Sequence, residues 1–230
     1  LMYARTDALL SFALRPANWQ SYLNGLKMER VPVYVTTSLK GEVSLKDEAK
    51  AWADEVGAHF VPRQGRGEEE LHNLYEDLII YTNMGPEIRT EGGRHHFHPS
   101  MAELRIRQID AGKGDRFLDA VAATRSVEFL DCTCGLGSDA LVASYGLPRG
   151  SRVDAVEASP LLARVTAWGF SRYVHERRAV TEALRHIHLT YNTYESVLTS
   201  IKDKSYDIIY FDPMFTRPVQ ESSNFTPLRD

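Results

Sequence analysis

The sequence predicts an α/β fold: an open, mainly parallel sheet with helices on its faces, preceded by a smaller α/β unit. Three stretches predict it. Residues 127–139 read V-E-F-L-D-C-T-C-G-L-G-S-D, an apolar run closing on Asp131, a turn of small residues and glycines, and a helical run from Ser138 onward. Residues 153–157 (V-D-A-V-E) read as a second buried strand ending in an acid, 20 residues after Gly137. Residues 206–215 (Y-D-I-I-Y-F-D-P-M-F) read as an apolar strand that delivers Asp-Pro-Met-Phe at its carboxyl end. Short apolar runs alternating with helical periods make such a sheet, and ligands bind beyond the carboxyl ends of its strands.

Composition sets the outer limits. At 230 residues, 43% hydrophobic and 25% charged, the chain suits one α/β domain with a small appendage. A formal net charge of −4 argues against indiscriminate nucleic-acid binding and leaves room for a local basic face. No apolar run approaches the roughly 18 residues that cross a bilayer, and no signal-peptide pattern opens the sequence. The two cysteines, Cys132 and Cys134, are separated by a single residue. That spacing makes a poor disulfide, and no second cluster completes a zinc site. They read as reduced thiols used as small side chains, which implies the cytoplasm.

Residues 1–27 read as an N-terminal extension, because Met28 directly precedes a strand-like run. Within it Trp19, Tyr22, Leu23 and Leu26 fall at helical spacing. The segment would pack on the body or on a second subunit, so a dimer stays open. Residues 28–93 read as the small α/β subdomain: strand 33–37, helix 45–56, strand 59–62, a polar turn 63–67, helix 68–77 and strand 78–83. Thr36, Thr37 and Ser38 at the first strand end suit a helix cap or a phosphate contact.

From residue 94 the chain enters the larger domain, 94–230. A ribbon at 86–91 turns at Gly92-Gly93 into Arg94-His95-His96-Phe97-His98-Pro99. Three histidines in four residues suggest metal, but on a strand His95 points away from His96 and His98, and no further ligand is spaced to complete a site. A cationic, aromatic lip led by Arg94 is the alternative to an ordinary solvated ribbon. Ser100 with Glu103 three residues on is a capping-box pattern for a helix to Ala111. Gly112-Lys113-Gly114 breaks that helix and Asp115 starts another.

The catalytic part then alternates strand and helix. Ser159-Pro160 opens a helix through Tyr173. Arg172, His175, Arg177, Arg178 and Arg185 form a basic stretch, either RNA-facing or simply a solvated helix end. Residues 186–191 read as the third strand, 194–201 as a helix, and the fourth strand carries the tetrapeptide beside the first. Only fifteen residues follow Phe215. A sheet truncated after this fourth strand would leave an apolar edge, to be covered by missing chain or by a partner.

A glycine turn between strand and helix lets backbone N–H groups approach a cofactor, and Gly135-Leu136-Gly137-Ser138-Asp139-Ala140 also fits a dinucleotide fingerprint. Glu157 is spaced to accept ribose hydroxyls in either a nicotinamide or an S-adenosylmethionine site. Asp-Pro-Met-Phe separates the two. Dehydrogenases have no use for it, whereas enzymes that methylate a planar amino group do.

Asp212-Pro213-Met214-Phe215 resembles the (Asn/Asp/Ser)-Pro-Pro-(Phe/Tyr/Trp) motif of class I amino-group methyltransferases. With D-C-T-C-G-L-G-S-D-A-L-V-A-S, it is most similar to the bacterial small-subunit ribosomal RNA guanine-N2 methyltransferases, the RsmJ family. The resemblance spans residues 94–215, with Thr216 where that family usually has a second Pro. It implies a Rossmann-like class I methyltransferase sheet, S-adenosylmethionine as cofactor and S-adenosylhomocysteine as product. It also implies ribosomal RNA or the small ribosomal subunit as partner, and a place in rRNA processing.

The residues then take roles. Asp131 would meet the methionine part of the cofactor, with Cys132, Thr133, Cys134 and Gly135 lining that half and Gly137 and Asp139 completing the turn. Glu157 with Ala158 would hold the ribose, and Asn192 would reach the adenine amine. Asp212 and a carbonyl near Pro213 would hold the hydrogens of the target amine, and Phe215 would stack on its base. The family's basic, glycine-rich turn ahead of the cofactor strand makes Arg105, Arg107, Lys113 and Arg116, with Arg94, candidates for phosphate contact. No metal is required. The alternatives are an amino methyltransferase for DNA, protein or a small molecule, or a cofactor-binding protein that does not transfer methyl.

Overall fold

The computed structural model describes residues 2–5, 32–39, 43–90 and 93–212. In chain order, β1 (Met2–Arg5) precedes a small unit made of β2 (Tyr34–Thr37), α1 (Val43–Val56), β3 (His59–Phe60), α2 (Glu68–His72), β4 (Leu78–Thr82), β5 (Gly85–Thr90) and β6 (Gly93–His96). Helix α1 presents Leu45, Ala49, Trp52 and Ala53 to the core, the three-and-four spacing of an amphipathic helix. Strand β4 is buried from Leu78 through Tyr81 because it is covered on both faces. The strands run β3-β2-β4-β5-β6, parallel among the first three and antiparallel in the β4-β5-β6 meander. The last strand of this sheet, β6, ends at His96.

The larger unit continues with α3 (Ser100–Asp110), α4 (Arg116–Val121), β7 (Glu128–Asp131), α5 (Ser138–Gly146), β8 (Arg152–Glu157), α6 (Pro160–Arg172), α7 (Arg178–Arg185), β9 (Ile187–Tyr191), α8 (Tyr194–Ser200) and β10 (Ile208–Phe211). Its sheet runs β1-β10-β7-β8-β9, with β10, β7, β8 and β9 all parallel. Strand β10 lies beside β7, the crossover that opens a crevice at the carboxyl ends of a doubly wound sheet. This is the α/β fold with a Rossmann-like parallel sheet that the sequence predicts.

Two expectations are corrected here. Met2–Arg5 pairs antiparallel with β10, Met2 opposite Phe211 and Arg5 opposite Ile208. The edge expected to need missing chain or a partner is therefore covered from within, and the N-terminal extension contributes a strand to the catalytic sheet. Ser100 does not cap α3 either. It is the first helical residue, Pro99 holds the cap position without a side-chain bond, and the Ser100 N–H donates to His98 Nδ1 at 3.1 Å. Asp115 behaves as expected, its carboxylate accepting the Phe117 and Leu118 N–H groups at the start of α4.

One hydrophobic core joins the two sheets, running from Val35, Tyr81 and Ile88 through Phe97 and Phe170 to Leu141 and Phe129. Helix α6 forms the joint. A Cβ on Gly85 would lie 2.6 Å from the Trp168 ring, so only glycine, here at φ 109°, lets β5 approach α6 so closely. Trp168 Nε1–H also donates to the Tyr81 hydroxyl at 3.1 Å. Phe97 packs edge-on against Phe170 and Tyr173 at 5.9 and 5.5 Å. No helix among the described residues is long and apolar enough to cross a membrane.

Candidate active site

The site is built from the carboxyl ends of β7, β8 and β10. Strand β7 closes on Asp131, which is buried. Its Oδ1 accepts the Thr133 N–H at 2.9 Å, while its Oδ2 has no hydrogen-bond partner among the described residues. Burial, with the carboxylates of Asp139, Glu157 and Asp212 nearby, pushes the Asp131 carboxyl up to about 7, although the Thr133 N–H works the other way.

The turn that follows is held by backbone hydrogen bonds to the neighbouring strands. Cys132 N–H donates to the Tyr210 carbonyl at 2.9 Å and Cys134 N–H to the Val156 carbonyl at 3.0 Å. Both thiols are buried, and burial raises their pKa values, so they are held protonated as small apolar fillers. Thr166 Oγ1 donates to the Gly135 carbonyl at 2.7 Å. Gly137 sits at φ 80°, and a Cβ there would meet Phe170 Cζ at 2.4 Å. The turn therefore rests on α6 where no side chain fits. Around a Cβ on Gly135, by contrast, nothing lies within 4 Å.

Glu157, at the end of β8, reaches back to this turn. Its Oε2 accepts the Gly135 N–H at 2.7 Å and its Oε1 the Ser159 N–H at 2.7 Å. Each oxygen keeps a lone pair for a further donor. Asn192 follows β9, donates its N–H to the Glu157 carbonyl at 3.1 Å and accepts the Thr193 N–H on its own Oδ1. Ala158 is exposed beside Glu157.

Asp212 is exposed at the end of β10. Its N–H donates to Thr133 Oγ1 at 2.8 Å, which fastens the start of the tetrapeptide to the glycine turn. Desolvation and the Asp139 carboxylate raise its pKa. Pro213 and Phe215 lie outside the described residues. Asp139, in the first turn of α5, accepts from Arg105 Nη1 at 2.5 Å on Oδ1 and from the Tyr210 hydroxyl at 3.0 Å on Oδ2.

Asp131, Asp139, Glu157 and Asp212 thus converge from four elements around one turn. The donor set suits a cationic, hydroxyl-bearing ligand: an orphaned buried carboxylate oxygen, open space at Gly135 and a ribose-competent acid at Glu157. S-adenosylmethionine, with its sulfonium, ammonium and ribose diol, has that chemistry. Glu157 would hold the diol, and Asp131 and Asp139 would face the charged end.

The basic candidates divide. Arg105 is paired with Asp115 and Asp139, and Arg107 with Glu103 on its own helix. Arg94, Lys113 and Arg116 are exposed. In the later basic stretch, Arg172 pairs with Glu55, Arg177 with Asp110 and Arg178 with Glu182, His175 lies 3.7 Å from Glu103, and Arg185 donates to the Phe170 and Tyr173 carbonyls. Arg172, Arg177 and Arg185 thereby join different parts of the fold, whereas Arg178 pairs within α7 and stays exposed.

Sequence reasoning missed Tyr210, Thr166 and Phe170. Tyr210 stands two residues before Asp212, so strand alternation would have put both on one face. Thr166 and Phe170 carry no local signal, since only the crossing of α6 over the turn brings them there.

A family model described as "Putative SAM-dependent methyltransferase" matches residues 94–225. The Bacillus subtilis protein YpiP is 30% identical over 198 residues, covering 85% of this chain and 77% of its own length. Ribosomal RNA small subunit methyltransferase J of Hydrogenovibrio crunogenus is 30% identical over 111 residues, 47% of this chain and 39% of that protein. Its counterpart from Psychrobacter cryohalolentis is 27% identical over 136 residues, 54% of this chain and 44% of that protein. The chain therefore spans under half the length of both. The crystal structure of a SAM-dependent methyltransferase from Neisseria gonorrhoeae superposes with a TM-score of 0.54 at 20% identity. That match covers 80% of this chain and 70% of the other, and carries the fold.

Proposed function

Since the chain belongs to the SAM-dependent methyltransferase family, we propose that it methylates an exocyclic amino nitrogen, the N2 of guanine in small-subunit ribosomal RNA. That it is a methyltransferase using S-adenosylmethionine follows from the family. The amino target and its RNA setting are our reading.

The observation that carries the reading is the bond from the Asp212 N–H to Thr133 Oγ1. It ties the first residue of Asp-Pro-Met-Phe to the glycine turn, so that an acceptor for a target amine stands beside the cofactor's site. Similarity to the two ribosomal RNA methyltransferases supports guanine in small-subunit RNA as the substrate.

An amino nitrogen on a nucleobase is a poor nucleophile because its lone pair is delocalised into the ring. Attack requires it to become more tetrahedral, and acceptors that hold its hydrogens favour that change. In this reading the Asp212 carboxylate accepts one N–H and stabilises the charge that develops on nitrogen. Its raised pKa suits it to take up the departing proton. When bound, S-adenosylmethionine supplies the sulfonium methyl: the N–C bond forms as the C–S bond breaks, the bonding pair stays on sulfur, and S-adenosylhomocysteine is left. Glu157 and the glycine turn orient that methyl toward the amine.

The test is incubation with labelled S-adenosylmethionine and, separately, ribosomal RNA from a strain lacking the gene, DNA, and total protein, followed by nucleoside mass spectrometry. N2-methylguanosine in small-subunit RNA is the expected product. Label only in DNA or protein would overturn the RNA assignment.

A further inference from the structure

We infer that Arg105 is a positioning residue for the cofactor, holding the Asp139 carboxylate in place to receive the positively charged amino-acid end of S-adenosylmethionine. The inference rests on the reading that the cofactor binds at the glycine turn.

Arg105 lies in α3, outside the three strand ends that make the site, and its guanidinium reaches across to them. Nε and Nη2 donate to Asp115 Oδ2 and Oδ1 at 2.8 and 2.9 Å, a two-pronged pair, and Nη1 donates to Asp139 Oδ1 at 2.5 Å. Three of its five N–H groups are thereby assigned, to two carboxylates at the starts of different helices. The group also lies 5.5 Å from the centre of the Phe117 ring. Burial disfavours the charge, but Asp115 and Asp139 outweigh it and raise the Arg105 pKa, so it stays a fixed cation.

Each carboxylate it touches has a second task. Asp115 caps α4 through the Phe117 and Leu118 N–H groups. Asp139 opens α5 directly after the glycine turn and takes the Tyr210 hydroxyl on its other oxygen. Arg105 and Tyr210 thus grip Asp139 from opposite oxygens, and Tyr210 is on β10, the strand that leads into Asp212. The grip ties the Asp139 carboxylate to α3 on one oxygen and to β10 on the other, at the first turn of α5 beside the glycine turn.

There is an electrostatic reason for the grip. Asp139 acts on Asp131 and on Asp212 in the direction that favours their protonation. Among these carboxylates, Arg105 is the cation paired with Asp139, and it sets a positive charge where they are crowded together. Its side chain is about as exposed as that of Asp139, 23% against 24%, so both lie at the margin of the crevice. With most of its donors committed, Arg105 acts on the cofactor through Asp139.

The experiment is a double-mutant cycle read by calorimetric titration of S-adenosylmethionine, with melting temperatures and steady-state kinetics on the same proteins. Arg105→Gln and Asp139→Asn should each weaken binding by tenfold or more. The double variant should bind no worse than Asp139→Asn alone, because the two act as one unit. KM for the cofactor should rise while kcat at saturation changes less than threefold. Arg105→Lys, which keeps the charge and is the safer fold, should recover part of the affinity. Arg105→Gln with wild-type affinity, or a double variant whose loss is the product of the single losses, would overturn the inference. Failure of the wild type to bind S-adenosylmethionine would instead overturn the cofactor reading itself, and this inference with it.

Discussion

The Gly135 N–H donates to Glu157 Oε2 at 2.7 Å, so the acid that ends one strand caps the glycine turn that follows its neighbour. This one bond sets the register between the two halves of the candidate cofactor site. It holds the carboxylate at the strand end, where a ribose would arrive, and it tightens a turn whose next residues begin α5. The second Glu157 oxygen holds Ser159, the residue that caps α6 through its hydroxyl. Turn, acid and the starts of both following helices are therefore linked through one side chain.

Asp212→Ala should abolish methyl transfer, by on the order of 10²-fold or more, if its carboxylate stabilises charge on the target nitrogen. S-adenosylmethionine affinity should stay within a few-fold of wild type. The glycine turn is reached by the Asp212 backbone N–H, which the substitution keeps. Single-turnover transfer and calorimetry on one preparation check both halves. A fully active Asp212→Ala protein would refute the assignment.

Gly137→Ala should destabilise the fold by at least about 2 kcal/mol, combining a left-handed backbone position with overpacking against Phe170. The Cβ would lie 2.4 Å from the ring at a residue held at φ 80°. Denaturant unfolding checks this, and an unchanged midpoint would mean that the turn is looser than described.

Much of this geometry was legible in the sequence because strand ends and turns carry their own chemistry. Asp131, Gly135, Glu157 and Asp212 come from three separate stretches, each an apolar run closing on an acid or a glycine, and strand alternation with turn residues predicts each locally. Asp115 at the start of α4 was readable for the same reason. The covering of β10 by Met2–Arg5 was not, because a four-residue strand far from its partner has no periodicity to display. Ser100 misled for a related reason: its pattern fits a capping box, yet Pro99 and the His98 imidazole occupy the helix entrance. Arg105 is a candidate for phosphate contact in the sequence, and only the return of the chain at Asp115 and the approach of Asp139 give it its carboxylate partners.

The pH dependence of stability should carry the signature of Asp131. Its carboxyl stands at about 7 in the folded protein against 3.8 for an ordinary aspartate. Between those values the folded state keeps a proton that the unfolded chain has released, so the contribution is fully present below about pH 4 and is lost as pH rises through about 7. Without cofactor, the melting temperature of the wild type should fall more between pH 5 and pH 8 than that of Asp131→Asn, which cannot titrate. Parallel curves for the two proteins would contradict the shifted carboxyl.

Phe97→Ala should cost about 3–5 kcal/mol, the range for removing a buried aromatic side chain. Phe97 is only 4% exposed and joins β6 to Phe170 and Tyr173 of the larger unit. Because Phe170 also supports Gly137, cofactor affinity should weaken as well. Thermal melting with and without S-adenosylmethionine reads both effects, and a loss of stability with unchanged affinity would separate the joint from the site.

The most direct measurement is calorimetric titration of S-adenosylmethionine into the wild type and into Glu157→Ala, with circular dichroism confirming that both are folded. The glycine turn and its capping acid predict one binding event per chain in the wild type. They also predict a Kd at least tenfold weaker in the variant, about 1.4 kcal/mol or more. Equal affinities in the two proteins, or no binding by the wild type, would contradict the placement of the cofactor at Gly135 and Glu157.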